Sequence, residues 1–141
     1  MGPDFLKPIA PLGDKIQCLS FTKDYFYKNN ISSEKSQILK VFTKFEDIPI
    51  QYMDQVHGNK LEIILSHSSL PIDETDSLFS STSNLALGVL TADCLPIALS
   101  KKDGSEFAML HAGWKGLLSC LLYTSDAADE GLGVDLGGRR I

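Results

Sequence analysis

The sequence predicts a mixed α/β domain. Three observations predict it: several apolar runs of strand length, one amphipathic stretch of helical period, and turn signals between them. The runs are Ile16–Phe21, Ile50–Val56, Lys60–Leu65, Leu85–Leu90, Leu95–Leu99 and Phe107–Leu110. The chain has 141 residues, of which 43% are hydrophobic, enough for one domain with a modest core.

Taken in order, Met1–Lys15 is rich in proline and glycine (Pro3, Pro8, Pro11) and is expected to be loose. Ile16–Phe21 follows as a strand containing Cys18. Asp24–Asn30 is of mixed character and ends in the turn signal Asn29-Asn30. The clearest helix comes next. Ser32 or Ser33 suits its N-cap, and Ile38, Val41, Phe42 and Phe45 fall on one stripe at i, i+3, i+4, i+7. Asp47-Ile48-Pro49 is expected to end it, because the residue before proline is pushed out of the helical region. Two strands then flank His57-Gly58. Serine-rich loops, Ser66–Ser69 and Ser80–Asn84, lie on either side of Thr75-Asp76-Ser77-Leu78. Leu85–Leu90, Leu95–Leu99 and Phe107–Leu110 supply three more strands, the last two joined by a turn at Lys101–Ser105. No internal repeat and no glycine-rich phosphate loop is seen.

Composition narrows the function. A net charge of −5 without a basic stripe gives no electrostatic footprint for nucleic acid or an anionic membrane. No run reaches the roughly 18–20 apolar residues of a membrane span, and the N-terminus lacks a signal-peptide pattern. Three scattered cysteines (Cys18, Cys94, Cys120) do not make a disulfide framework, so a reduced, cytoplasmic protein is expected.

Reactive side chains sit where the apolar runs begin or end. Gln55-Val56-His57-Gly58 closes one run, Thr91-Ala92-Asp93-Cys94 separates two others, and His111-Ala112-Gly113-Trp114 closes the last. His57, Cys94 and His111 together are the donor set of a catalytic zinc site with an open fourth position. Strand alternation puts Gln55 on the face of His57, as a group to orient it, and Met109 on the face of His111, while Asp93 points away from Cys94. From spacing alone the alternatives stay open. Cys94 also reads as a small core side chain, or as the nucleophile of a metal-free cysteine hydrolase with His111 or His57 as base and Asp93 or Asp76 as orienter. His2Cys with Met109 is a blue-copper donor set as well. Trp114 reads as packing and His67 as solvated.

The three blocks, with Thr91-Ala92-Asp93-Cys94-Leu95-Pro96 and His111-Ala112-Gly113-Trp114-Lys115-Gly116-Leu117 in full and Asp76-Ser77-Leu78 as a fourth, resemble the signature of the laccase-domain or multicopper polyphenol oxidase family. That family is also treated as purine nucleoside phosphorylase and adenosine deaminase enzymes. The resemblance covers roughly residues 16–119, about the first half of a typical member. It implies a layered α/β sandwich with a mixed β-sheet flanked by helices. His57, Cys94 and His111 match the family's metal-binding and catalytic residues. The implied cofactor is zinc, with copper as the alternative, and the implied partners are a small purine nucleoside and phosphate. A four-copper laccase is excluded for this polypeptide as a monomer, since it has three histidines in all. Phosphorolysis needs a held phosphate, for which Lys115 and the backbone after Gly113 are the local groups.

Two departures temper the expectation. Asp24–Asn30 stands where the family commonly has a Gly-Gly turn. Cys120–Ile141 resembles a conceptual translation of sequencing-adapter DNA, a non-native tail in this reading. The expected organisation is therefore a loose segment 1–15, the N-terminal part of a laccase-domain-like α/β domain at 16–119, and the tail 120–141. On that reading this chain is expected to be an inactive, poorly soluble fragment.

Overall fold

The computed structural model describes residues 15–119, residue 12 and the backbone of Phe5–Leu6. Among these, nine strands and three helices follow one another: β1 (Phe5–Leu6), β2 (Ser20–Phe21), α1 (Lys23–Lys28), α2 (Lys35–Val41), β3 (Lys44–Phe45), β4 (Ile48–Tyr52), β5 (Leu61–Ile63), β6 (Ser77–Ser80), β7 (Ala86–Gly88), β8 (Leu95–Ser100), β9 (Phe107–Ala112) and α3 (Trp114–Leu118). The segment expected to be loose contributes β1, which pairs antiparallel with β2. The expectation for Cys120–Ile141 lies outside the described residues.

The strands form two mixed sheets besides the β1–β2 ribbon. One has the order β3-β4-β7, with β4 and β7 parallel; the other has the order β5-β6-β9-β8, with only β5 and β6 parallel. Few helices accompany them, and none among the described residues is long and apolar enough to cross a membrane.

The first sheet is packed by rings. Phe26 of α1, Ile38 of α2, Phe42, Ile50 and Tyr52 are buried together, with Phe21, Tyr25 and Phe45 against them. Phe42 meets Phe21 and Phe26 edge-on, at centroid distances of 5.1 and 5.5 Å, and each such pair adds about 0.5–1.5 kcal/mol beyond burial. Tyr52 donates its hydroxyl to the Phe42 carbonyl at 2.8 Å, which satisfies a buried polar group inside this cluster. Gly88 makes room for Tyr52: a Cβ there would lie 2.5 Å from the ring.

The expected helix is shorter than its stripe. It stops at Val41, which is 59% exposed, and Phe45 belongs to β3. The reason is a tight hairpin. Glu46 and Asp47 both take positive φ (48° and 67°), the pattern of a type I′ turn, and β3 folds back on β4. Phe42 and Phe45 still reach one cluster, the first from a helix end and the second from a strand. Glu34 is the N-cap residue; Ser32 Oγ accepts the Glu34 N–H at 3.3 Å.

The strand that the sequence reading passed over is β6. It sits between β5 and β9, with Ser77, Leu78, Phe79 and Ser80 all buried. Its serines disguise it, yet Ser80 Oγ donates to the Ile64 carbonyl at 2.7 Å, so the hydroxyl is tolerated in the interior. Side chains of β9 alternate around it. Ala108, Leu110 and Ala112 pack with Phe79 on one face, while Met109 packs on the other with Met53, Ile64, Leu78 and Leu85, where the two sheets meet. Alternation puts His111 on the Met109 face, as expected.

Candidate metal centre

His57, Cys94 and His111 arrive from three places. His57 lies in the connection between β4 and β5, Cys94 immediately precedes β8, and His111 is the penultimate residue of β9. The register of the β8–β9 hairpin pairs Leu95 with Ala112 and Pro96 with His111, which brings Cys94 to the open end of the ladder beside Gly113. One ligand atom from each of the three residues lies within 4.8 Å of the others. The two imidazole rings stand 4.7 Å apart, nearly perpendicular at 75°. His111 is buried, Cys94 half-buried and His57 exposed, so the cluster opens to solvent on the His57 side.

This donor set fits one tetrahedral ion. Nitrogen and sulfur donors at ~2.0–2.3 Å from a metal stand about 3.3–3.7 Å from one another, so closure of about 1.5 Å is the most that is asked. The space is kept by Gly113, whose missing Cβ would lie 2.8 Å from His57 Cδ2 and 3.3 Å from Cys94 Sγ.

Asp76 is the buried centre of this arrangement. Its Oδ1 accepts the His57 N–H at 3.0 Å and stands 2.8 Å from His111 Nδ1; its Oδ2 accepts the N–H groups of Val56 (3.2 Å) and Gly58 (2.8 Å). Three successive backbone N–H groups thus form a nest around one carboxylate. The nest explains why His57 tolerates a left-handed φ of 62°. The Asp76 carbonyl also accepts the His111 N–H at 2.8 Å, so the two residues are joined twice. Burial works against charge on Asp76, but the hydrogen bonds from His111, Gly58, Val56 and His57 prevail and hold its carboxyl below the ordinary value.

The other expected residues distribute differently. Gln55 does not orient His57. Its amide instead donates to the Leu90 carbonyl at 2.7 Å and accepts the Leu90 N–H at 3.0 Å, tying the His57 connection to the segment that leads into Cys94. Asp93 and His67 are exposed, Trp114 is 68% exposed rather than packed, and Lys115 holds its ammonium over the Trp114 ring, 5.7 Å from the centroid. Cys18 and Cys94 are free thiols. Of the two carboxylates weighed as orienter, Asp93 and Asp76, it is Asp76 that partners His111; Gly113 as the gap was not singled out by spacing.

A family model described as multi-copper polyphenol oxidoreductase laccase matches residues 27–128, a span that contains His57, Asp76, Cys94 and His111. A purine nucleoside phosphorylase of Rickettsia conorii is 33% identical over 102 residues, covering 70% of this chain and 42% of that protein. Another, of Corynebacterium glutamicum, is 30% identical over 105 residues, covering 73% and 42%. A crystal structure of a Neisseria meningitidis protein aligns with a TM-score of 0.66 and 26% identity, over 89% of this chain and 57% of that one. The Bacillus licheniformis hypothetical protein YfiH shares the fold with a TM-score of 0.58 at 20% identity, over 69% and 42%. The chain spans about two fifths of the length of the two phosphorylases it matches.

Proposed function

This chain belongs to the multi-copper polyphenol oxidoreductase laccase family, and we propose that it carries the metal centre of a zinc-dependent purine nucleoside enzyme. The ligands in this reading are His57, Cys94 and His111. The observation that carries it is their convergence to within 4.8 Å from three separate elements. The names of the matched relatives support a purine nucleoside and phosphate as substrates, with phosphorolysis of adenosine or inosine as the leading reaction and deamination of adenosine as the second.

His57, Cys94 and His111 would hold the ion, and zinc there would supply the Lewis acidity that activates water near neutral pH, as hydrolytic deamination needs. The chain's own groups hold and shape the site. His111 is fixed by its double link to Asp76, Cys94 by the hairpin register, and His57 by the nest beneath its backbone. The solvent-facing side, bordered by His57, Asp93 and Trp114, is where substrate would approach. His57 is exposed and Cys94 only half-buried, so water reaches the cluster from that side.

Asp76, His111 and Cys94 also stand in the order orienter, base, nucleophile, which favours the metal-free cysteine hydrolase as the second reading. Elemental analysis after dialysis separates the two. The zinc reading expects one zinc per chain, lost in a folded Cys94→Ala variant, and slow phosphate-dependent release of free base that the same variant abolishes. Copper with an intense blue colour would instead support the oxidoreductase that the family description names. A metal-free protein whose hydrolytic activity disappears in Cys94→Ala would support the cysteine hydrolase. Zinc content and turnover that survive Cys94→Ala would sink the site altogether.

A further inference from the structure

We infer that Asp76 is the positioning residue of the cluster: one buried carboxylate sets the tautomer of His111 and the backbone of His57, so that both imidazoles offer lone pairs to one point. The inference rests on the metal reading above for what occupies that point.

The tautomer follows from counting donors. Three of the four atoms facing the Asp76 oxygens are backbone N–H groups and can only donate. The fourth is His111 Nδ1, 2.8 Å from the same Oδ1 that accepts from His57. A lone pair at Nδ1 would require a proton on an oxygen already met by an N–H. Nδ1 therefore carries the hydrogen, and the neutral ring keeps its lone pair on Nε2, the only nitrogen left for a ligand. Metal-ligating histidines are commonly fixed in this way through the opposite ring nitrogen.

The second task is less usual. The same carboxylate closes the turn that presents the other histidine, since Val56, His57 and Gly58 all point their N–H groups at it. Without that acceptor the turn loses the bonds that hold His57 at its positive φ, and with them the support for the ring's place opposite His111. Asp76 thus serves two ligands without touching the ligand position itself, which makes the two histidines interdependent.

The test uses three forms of the chain and a readout independent of turnover. In the wild-type protein without metal, at a pH where the ring is neutral, two-bond proton–nitrogen NMR correlations of His111 should show the hydrogen on Nδ1. A hydrogen on Nε2 would overturn the inference, whatever the fate of Asp76 variants. In a folded Asp76→Asn variant, zinc affinity should fall about 10–100-fold, the cobalt-substituted spectrum should lose intensity, and the His57 amide resonance should shift. Asp76→Glu should recover less than the wild type, because a longer side chain displaces the nest. Zinc affinity within twofold of wild type in folded Asp76→Asn, with the His57 resonance unmoved, would also overturn it. A wild-type chain that binds no zinc or cobalt defeats the metal reading, while the NMR result still decides the role of Asp76.

Discussion

Around β4 the buried side chains are mostly rings and aliphatics, Phe26, Ile38, Phe42, Ile50 and Tyr52, with Gln51 the one fully buried polar residue of that strand, whereas around β6 they include Thr75, Asp76, Ser77 and Ser80, all with no exposure at all. The first region follows ordinary physics: apolar area leaves water, rings meet edge to face, and one hydroxyl finds a carbonyl. The second buries groups that cost several kcal/mol each unless every donor finds an acceptor. It meets most of that demand with Asp76's four partners, Thr75's bond to the Asp73 carbonyl and Ser80's bond to the Ile64 carbonyl, and leaves Ser77 Oγ without a partner among the described residues. The contrast teaches where stability and function are separately lodged. The ring cluster makes the domain fold, and the polar seam beneath β9 holds the two reactive histidines in place.

If that division is right, Phe42→Ala should cost most, about 3–5 kcal/mol by loss of buried ring and the cavity left behind. Thermal or urea unfolding measures it, and zinc affinity of the remaining folded molecules should be unchanged. A large loss of affinity with it would merge the two regions into one. Next comes Gly113→Ala, where the added methyl presses on the His57 ring and the Cys94 sulfur. The expected signature is the converse: roughly tenfold weaker zinc binding, with a melting temperature close to that of the wild type.

Tyr52→Phe is a smaller probe, of about 1 kcal/mol for one buried hydrogen bond. Burial raises the Tyr52 phenol above its ordinary value of 10.0. The sign follows from linkage: the contribution is whole below about pH 10 and is lost as pH climbs from there through the higher folded value. The wild type should therefore lose stability on an alkaline limb that Tyr52→Phe flattens, in pH-dependent urea titrations. Smallest of all is Lys44→Ala. The Lys44–Asp47 pair at 2.8 Å lies in open solvent beside the hairpin turn, and its removal should leave the unfolding midpoint where it was.

Much of this was legible in the sequence, for a physical reason. Cys94 and His111 could be found because strand ends carry side chains to defined places, and His57 because its block resembles the family's signature, although it lies in the connection after β4 and not at a strand end. The β8–β9 hairpin announced itself through two apolar runs and a polar turn. The core positions Ile38 and Phe42 were equally plain from helical spacing. What escaped notice was whatever the chain does against its local pattern. Phe45 continues a perfect helical stripe, yet Glu46-Asp47 turns the backbone without the glycine that usually marks such a turn. β6 hides behind two buried serines, of which Ser80 finds its acceptor, the Ile64 carbonyl, elsewhere in the chain. Gln55 reaches Leu90 and Asp76 reaches His111, contacts that no spacing rule encodes.

The β8–β9 ladder also acts as a ruler. Six paired positions run from Ser100 opposite Phe107 to Leu95 opposite Ala112, so the turn at one end determines which residues face each other at the other. A slip of one residue would carry His111 along the strand by about 3.3 Å and turn it to the opposite face of the sheet. Cys94 would then stand beside the wrong neighbour, although neither ligand had changed. Inserting or deleting a residue between Lys101 and Ser105 therefore edits the chemistry at a distance, through the length of a hairpin rather than through any contact with its reactive groups.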